Sequence, residues 1–598
     1  MFAGTMRMLM RSKAVALMLT VLSAVTARAQ NDVAMRAMKD ELARSISQLQ
    51  LQKMDKPYFL AYRMDDINEI TVSAMLGSLT ADQPSHIRLI GVEIRVGDYA
   101  LDNSNYVSLR SLGGGMAGMF GGIGQAPLDD DYQQIRRQFW LATDNQYKKA
   151  LEDLSAKRAA LEMRKHTDDV PDFSKESPAT ETEAPERSPA SATDLKGLVR
   201  DISAVFKSTP EISRSSVEIN YRNYFTRYVN SEGSSFTRPQ PVLKLRINAQ
   251  AQAADGLPIS DSIEAFGRTV ADIPPKDVLI ARTRAMADRL KKLLAAAPIE
   301  RYNGPVLFEG DAAGEIFTQQ FATGLMAVRT PLSDDSRFEM FFNQMMARLG
   351  GGSFVDKIGG RVLPEFLSVS DNPLLAQYKG SKLFGSSSID DDGVKTRATA
   401  LVEHGVLKTL LATRVPVRGV THSTGSRRGW GPTPSNLLVT SDKSLSDDEL
   451  RKELLRQAKE HGLDYGIVVR RVGGGAAASF MKMAARMAQQ GGQASNSLAE
   501  VYKVYADGHE ELLPGMEIAE MTPSAFKEIL AVGDTPVVFT DEFIPRLGAL
   551  FSLGVSASSN VPVVSCAVPS LLFEEVSLVE SQGPFPNPPV SPSPLAKQ

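Results

Sequence analysis

Apolar and polar residues alternate along the chain in two periods, which predict helices and strands in turn. Apolar residues recur about every 3.6 positions in residues 32–50, a spacing typical of one buried helix face. They alternate with polar residues in 90–96, 217–221 and 243–249, as in half-buried strands. The first half of the chain is therefore predicted to combine helices with an antiparallel sheet.

Three further helices are predicted from composition and from their boundaries. Residues 132–165 contain neither Pro nor Gly and are rich in strong helix formers. A helix over 276–296 ends before Pro298, since proline cannot continue it. Ser446 and Glu449 form a capping-box pattern, which predicts the start of a helix at that point.

Composition divides the chain into two large regions. Residues 166–192 are rich in Pro, Ser, Thr, Asp and Glu, so we expect a linker or a long surface loop there. This linker lies inside a predicted α/β region over 30–300, and a β-rich domain is predicted over 301–580. The tail, 581–598, is Pro-rich and is predicted to be disordered.

The second half is predicted to consist of short strands joined by tight turns. Short strand-like runs there are joined by dipeptides that favour hairpins, namely Asp392-Gly393, His404-Gly405 and Asp507-Gly508. The predicted fold class is therefore α+β, with an N-terminal α/β domain that holds an antiparallel sheet and a β-rich C-terminal domain.

The N-terminus has the pattern of a secretory signal peptide. Basic residues precede an apolar run over 14–25, and the tripeptide Ala27-Arg28-Ala29 follows as a small-x-small cleavage pattern. The run is too short to cross a hydrocarbon core of about 30 Å. We therefore predict residues 1–29 to be a signal peptide and the mature chain to be an exported, periplasmic protein without a membrane span. A buried N-terminal helix is the alternative.

Charge and cysteine content exclude several classes of function. The net charge is −3, and it becomes −7 without residues 1–29, which carry four basic and no acidic residues. This balance gives no electrostatic reason to expect nucleic acid as a partner. Cys566 is the single cysteine, so neither an intramolecular disulfide nor an all-cysteine zinc site can form.

Known catalytic motifs are absent from the sequence. It contains no phosphate-binding loop and no G-x-S-x-G nucleophile elbow. No two of the six histidines are three to five residues apart, so no helical H-E-x-x-H zinc site is present. A zinc site from scattered ligands stays open, although we predict no metal and no other cofactor.

Two segments carry candidate chemistry. Asp311 and Glu315 are four residues apart, so on a helix their carboxylates share one face and could act as an acid/base pair or as ligands of a hard metal. The alternative is a solvated helix face. The polar segment 423–428 ends in Arg427-Arg428, which could clamp a peptide carboxylate or backbone; the alternative is a solvated loop.

Several segments together resemble the TldD/PmbA family, whose members are also called modulators of DNA gyrase. The matching segments keep one order along the chain: Arg95-Val96-Gly97-Asp98-Tyr99, Val229-Asn230-Ser231-Glu232-Gly233, 304–313, 391–394, 403–408, 423–428, Pro434-Ser435-Asn436 and 504–508. The resemblance covers roughly residues 35–580. It implies an N-terminal α/β domain, a β-rich C-terminal domain and a dimeric, peptidase-like assembly.

The resemblance also implies where zinc would be held in catalytic members. There, an H-E-x-x-x-H motif and a cysteine nearer the C-terminus bind the metal, and the glutamate acts as general base. In one register the histidine positions hold Gly310 and Glu315 here, with Asp311 at the base position. The chain therefore lacks the imidazole ligands in that register.

A second register gives the same result. A shift by two residues places Phe308 and Ala313 at the histidine positions and keeps Glu309 as the acid. The ligand cysteine falls near Gly554, whereas Cys566 lies further on in an apolar strand and is predicted to be a buried thiol. The chain thus resembles the non-catalytic branch, whose members pair with a catalytic paralogue.

Two functions of different class follow from the sequence. In the first, the chain is a zinc-less peptide-binding or partner subunit of an exported peptidase complex. It would form a homodimer, or a heterodimer with a zinc-competent paralogue, and would bind peptide through Ser423, Thr424, Arg427, Arg428 and Asn436. In the second, it is an active peptidase that uses another metal or the carboxylates of Asp311, Glu315 and Glu309.

Overall fold

The structure, a computed structural model, describes most of the chain after the predicted signal peptide. The described residues are 32–107, 123–164, 170–186, 192–337, 339–340, 354–429, 431–473, 496–519, 521–543, 561–581, 585, 587–591 and 593–596. The predicted signal peptide lies outside these ranges, as do residues 544–560, which include Gly554.

Six α-helices lie within the described residues. They are α1 (Val33–Gln48), α2 (Tyr132–Arg164), α3 (Ala192–Ser203), α4 (Lys276–Ala295), α5 (Asp311–Ile316) and α6 (Asp447–Glu460). A π-helical turn, Phe317–Phe321, continues α5. Among the helices of these ranges, none carries the run of apolar residues that a membrane-spanning segment requires.

The strands of the first half are β1 (Pro57–Met75), β2 (Ser78–Val96), β3 (Tyr106–Val107), β4 (Ile123–Gln125), β5 (Thr180–Thr182), β6 (Ile212–Asn230), β7 (Ser235–Gln252) and β8 (Pro258–Gly267). Those of the second half begin with β9 (Arg301–Phe308), β10 (Leu332–Ser333), β11 (Leu367–Asp371), β12 (Gln377–Tyr378), β13 (Ser381–Lys382), β14 (Thr399–Glu403), β15 (Val406–Leu407), β16 (Arg427–Arg428), β17 (Gly431–Pro432) and β18 (Asn436–Ser441). They continue with β19 (Tyr465–Val472), β20 (Asn496–Tyr505), β21 (Glu510–Leu513), β22 (Met516–Ile518), β23 (Ile529–Val532), β24 (Val537–Glu542), β25 (Val563–Val568) and β26 (Leu571–Glu580).

The helices predicted from periodicity and capping are confirmed. Asp32 caps α1, because its carboxylate accepts a hydrogen bond of 2.9 Å from the amide of Met35. The capping box of α6 is present in both directions between Ser446 and Glu449. These local signals act over three or four residues, which is why the sequence alone places them.

One long antiparallel sheet organises the first half. Its strands run in the order β4-β2-β1-β6-β7-β5, and β8 pairs with β7. One part of the sheet packs against α1 and α2 through residues such as Tyr62 and Phe139, whose rings stack 4.5 Å apart. Another part packs against α3 and α4. The antiparallel sheet and flanking helices confirm the prediction for this half.

The second half contains a further sheet and a small barrel, as a β-rich domain requires. The sheet has the order β15-β14-β11-β18-β25-β24. In the barrel, β19, β9, β26, β22 and β20 pair in that order, and β20 also pairs with β19, so the ring of strands is closed. α5 and the π-helical turn pack in the apolar core between barrel and sheet. The α+β class is confirmed.

The segment predicted as a linker is packed where the structure describes it. In 170–186, Phe173 is buried against Phe59, with ring centroids 4.9 Å apart. Asp172 forms an ion pair of 2.5 Å with Lys157, and β5 pairs with β7. A polar, Pro-rich composition predicts little apolar burial, but Phe173, Asp172 and the pairing of β5 hold this segment against the rest of the protein. In the predicted tail, Phe585 packs against the α3–α4 core.

Candidate functional site

A cleft between the two halves of the chain is the candidate site. It is a cavity of about 650 Å³, and its walls come from β8, α4, α5, the end of β19, the segment around β13, and β24. A cavity of this size holds several residues of an extended peptide or a small ligand. The site therefore depends on elements that are up to 280 residues apart in sequence.

α5 brings two of the predicted carboxylates to the cleft. The chain leaves β9, turns at Gly310 with a φ of 56°, and enters α5 at Asp311. A Cβ atom on Gly314 would lie 2.3 Å from the Cβ of Phe539, so only glycine lets the helix approach β24 this closely. Asp311 and Glu315 both line the cleft, as their shared helix face predicts.

The two carboxylates of α5 have different surroundings. Asp311 is exposed to the cavity, yet protein surrounds that cavity closely enough that burial raises the pKa of its carboxyl. The guanidinium groups of Arg471 and Arg282 oppose part of this rise. Glu315 is buried and accepts a hydrogen bond of 3.1 Å from Nε2 of Gln319. Asp311 is thus the one that faces a ligand.

The cationic residues of the cleft are mostly paired with acidic neighbours. Arg289 forms ion pairs with Asp261 and with Glu500, the latter at 3.2 Å. Arg471 lies 3.3 Å from the same Asp261. These pairs fix the two arginines against the wall of the cleft.

The other two cationic residues of the cleft differ from each other in whether they have an acidic partner. Lys382 pairs with Asp272. Arg282, on α4, is exposed, and no carboxylate of the described residues lies within ion-pair distance of it. The sequence did not indicate these two residues or Asp541 on β24 as site residues. They line the same cleft as Asp311 only in the folded chain.

Glu309, the third acidic candidate, faces away from the cleft lining. Its carboxylate forms ion pairs of 3.2 Å with Arg451 on α6 and with Arg470 on β19. Glu510 joins the same cluster through Arg470 at 2.8 Å. The structure therefore separates Glu309 from Asp311 and Glu315, although they are close in sequence.

The five predicted peptide-binding residues lie in a buried joint between the two halves. Ser423, Thr424, Arg427, Arg428 and Asn436 are all buried, and none belongs to the cleft lining described above. Arg427 forms ion pairs with Asp392 and, at 3.0 Å, with Glu93 of β2. Their role in peptide binding stays a prediction, while the contacts observed are internal.

The buried carboxylates of this joint are compensated by neighbouring arginines. Burial alone would raise the pKa of the Glu93 carboxyl, but Arg95 and Arg427 outweigh it and hold that pKa below its ordinary value. Asp391 behaves in the same way, since Arg63 and Arg238 lower its pKa against the effect of burial. Paired in this way, the charges tolerate burial.

Three of these five residues, Ser423, Thr424 and Asn436, form hydrogen bonds with nearby backbone groups. Thr424 accepts a hydrogen bond of 2.7 Å from the amide of Ala412. Asn436 donates from Nδ2 to the carbonyls of Asn372 and Leu375, at 3.1 and 3.0 Å. Ser423 Oγ accepts from the amide of Gly425 at 3.0 Å. The turn around Gly425 is thus fixed from within.

The residues around α5 do not fit a zinc ion of the type that the resemblance implies. None of the five described histidines lines the cleft; His86, for example, pairs with Asp66 at 2.6 Å on β2. Cys566 is fully buried in β25, and burial raises the pKa of its thiol to about 12, so it does not supply a thiolate. Across the described ranges, no group of three or more His, Cys, Asp or Glu side chains is arranged to hold a metal ion.

Comparison with known proteins bears on both halves. The family model for the PmbA/TldA metallopeptidase C-terminal domain matches residues 303–580. A metalloprotease of Methanocaldococcus jannaschii is 26% identical over 272 residues, which are 45% of this chain and 54% of that protein. The chain thus spans about half the length of the curated relatives that it matches.

Solved structures share the fold over nearly the whole chain. TldE from Thermococcus kodakarensis superposes with a TM-score of 0.53 at 13% identity, covering 91% of this chain and 100% of its own. A candidate modulator of a DNA gyrase from Thermotoga maritima gives 0.52 at 16% identity, covering 87% of this chain and 96% of its own. At these identities the likeness shows the fold, which agrees with the match over the C-terminal domain. Residues 303–580 are therefore a PmbA/TldA metallopeptidase C-terminal domain, and nearly the whole chain shares the fold of TldE and of the gyrase modulator.

Proposed function

We propose that this chain is a zinc-less, peptide-binding subunit of an exported peptidase complex. The observation that carries the proposal is the cleft, because two sheet edges line it. Among the described strands, β8 pairs only with β7, and β24 pairs only with β25. An extended peptide can add to such an edge through main-chain hydrogen bonds. The cavity between these strands has room for it.

The zinc-less state is proposed from the residues at α5. Hydrolysis by a zinc peptidase needs an ion that lowers the pKa of its bound water toward 7, and it holds that ion with three protein ligands. At α5 the two histidine positions carry Gly310 and Glu315, or Phe308 and Ala313 in the second register. A partner of the same family that retains the histidines would supply the catalytic centre. A relative that is 26% identical to this chain is named a metalloprotease, which supports the presence of peptidases among its relatives.

Peptide binding is tested by blocking the cleft. Ala285 lies on the cleft face of α4 and is exposed, whereas Ala281, one turn earlier, is exposed but outside the lining. We expect Ala285→Trp to weaken binding of an immobilised, extended peptide at least about tenfold, since the indole fills part of the cavity. Ala281→Trp should leave binding unchanged. Equal binding by both variants and the wild type would contradict the proposal.

Elemental analysis tests the zinc-less state. We expect well under one zinc per chain after desalting, because the sites that hold the metal in the family carry no imidazole here. The control is a family member with an intact H-E-x-x-x-H motif, purified in the same way. One tightly held zinc per chain would show that the ligands lie elsewhere.

Export is tested on protein from its native host. We expect N-terminal sequencing to give a mature chain that begins at Gln30, since Ala27 and Ala29 match the small-x-small requirement of signal peptidase. Substitution of Ala29 by a bulky residue should block cleavage. A cytosolic chain that still starts at Met1 would rule export out.

One observation supports the alternative, in which the chain is itself an active peptidase. Burial raises the pKa of the Asp311 carboxyl, and this group faces the cleft, as a general acid must. A mixed-peptide digest by the chain alone, compared with Asp311→Asn and Glu315→Gln, separates the two functions. Cleavage by the wild type that disappears in both variants would favour the enzyme, whereas cleavage only with a zinc-competent paralogue supports the subunit.

A further inference from the structure

We propose that Arg282 makes the cleft selective for peptides that carry a carboxylate. This inference deepens the proposed function and rests on it. Four cationic residues line the cleft, and three of them, Arg289, Lys382 and Arg471, already hold acidic partners. Within the described part of the chain, Arg282 alone of the four has neither an ion pair nor a side-chain hydrogen bond. A ligand carboxylate would therefore find its donors free.

The position of Arg282 is fixed by the helix that carries it. The opposite face of α4 is buried in the first-half core through Leu279, Met286 and Leu290, so the helix cannot rotate. Residues three and seven positions later, Ala285 and Arg289, also line the cleft. Arg282 thus lines the cavity from a helix whose opposite face is held in the core.

Arg282 and Asp311 line the cleft from two different helices, α4 and α5. The charge of Arg282 acts on the carboxyl of Asp311 across the cleft, yet the two groups do not approach within ion-pair distance. Asp311 is the acidic neighbour with which a ligand carboxylate competes for this guanidinium, and burial raises the pKa of its carboxyl. A ligand carboxylate that enters the cleft beside Arg282 can accept two parallel hydrogen bonds from its guanidinium.

The other acidic residues of the lining are already engaged. Glu264 pairs with Lys244 at 3.3 Å and with Arg246 at 2.5 Å, and Asp272 pairs with Lys382. Glu315 accepts its hydrogen bond from Gln319, and the buried carboxylate of Asp541 accepts one of 2.7 Å from the amide of Glu542. The charge that remains open to a ligand is therefore dominated by the permanently cationic Arg282.

Two sources can supply the carboxylate, an acidic side chain or the C-terminus of the peptide. Three biotinylated peptides of Ser, Gln and Ala separate them: one amidated and without acidic residues, one with a free C-terminus, and one amidated with a single internal Glu. Biolayer interferometry measures their affinities for the full-length mature chain. We expect at least one carboxylate peptide to bind about tenfold more tightly than the neutral one.

Variants assign this preference to Arg282. Arg282→Gln should remove the tenfold preference, measured as the ratio of the affinities for a carboxylate peptide and the neutral peptide, and Arg282→Lys should retain part of it. Arg284→Gln is the matched control, since Arg284 is exposed on the same helix but outside the cleft lining. Asp311→Asn should strengthen binding of the carboxylate peptides, because it removes the competing group.

The outcomes separate this inference from the proposed function. If all three peptides bind the wild type equally, or if the preference survives in Arg282→Gln, the role of Arg282 is overturned while peptide binding stands. If no peptide binds the wild type, both are overturned. Loss of the preference in Arg284→Gln as well would show a general effect of charge and would also overturn the assignment.

Discussion

Replacing Arg427 with methionine is expected to lower the free energy of unfolding by about 3–5 kcal/mol. Arg427 is buried in the joint between the two halves, where its guanidinium pairs with Glu93 and Asp392. Methionine fills a similar volume but leaves two buried carboxylates with less compensation. The cost of an uncompensated buried charge exceeds that of the lost contact itself. Urea unfolding followed by circular dichroism measures the change.

A surface arginine provides the comparison. Arg456 on α6 pairs with Glu453 and Glu460, but half of its side chain is exposed. Arg456→Met should cost far less stability than Arg427→Met, because water already screens these pairs. If both substitutions cost the same small amount, the joint does not depend on Arg427. A large cost only for Arg427→Met would show that its ion pairs hold the two halves together.

This joint also shows why sequence patterns mislead at buried charges. Glu93 and Arg95 alternate with apolar residues in β2, which predicts that they face solvent. In the structure both are buried, since Arg95 pairs with Glu93 and Asp102, each at 2.8 Å. The compensating Arg427 is 334 residues away from Glu93. A polar pattern cannot show a partner at such a distance.

The candidate site was predictable only in part for the same reason. The spacing of Asp311 and Glu315 predicts a shared helix face, and the structure places both on the cleft. The boundary at Pro298 also helps to predict α4, but it does not reveal that Arg282 lines the same cleft as α5. The pairing of sheet edges is likewise set by the packing of the two halves, and local sequence carries no signal for it.

Local preference and tertiary packing oppose one another most directly at Gly314. In an isolated helix, glycine is about 1 kcal/mol less favourable than alanine, so propensity alone predicts that Gly314→Ala stabilises the protein. Here the added Cβ would lie 2.3 Å from the Cβ of Phe539 and 3.0 Å from its Cγ. Either α5 or β24 must move, and both form walls of the cleft.

We therefore expect Gly314→Ala to destabilise the protein by about 1–3 kcal/mol, the usual cost of overpacking, and to abolish peptide binding in the cleft. Gly197→Ala, on α3, is the control: its added Cβ meets nothing within 4 Å, so it should stabilise the protein by up to about 1 kcal/mol. Thermal unfolding and the peptide-binding assay measure both effects.

A second substitution tests whether the contact with Phe539 is the cause. Phe539→Gly removes the atoms that the new Cβ would meet, although it weakens β24 and costs stability by itself. If the clash is responsible, the double variant should lose less stability than the sum of the two single variants, by at least about 1 kcal/mol. Strict additivity would mean that Gly314 is needed for another reason, such as the backbone path from α5 into the π-helical turn at Phe317.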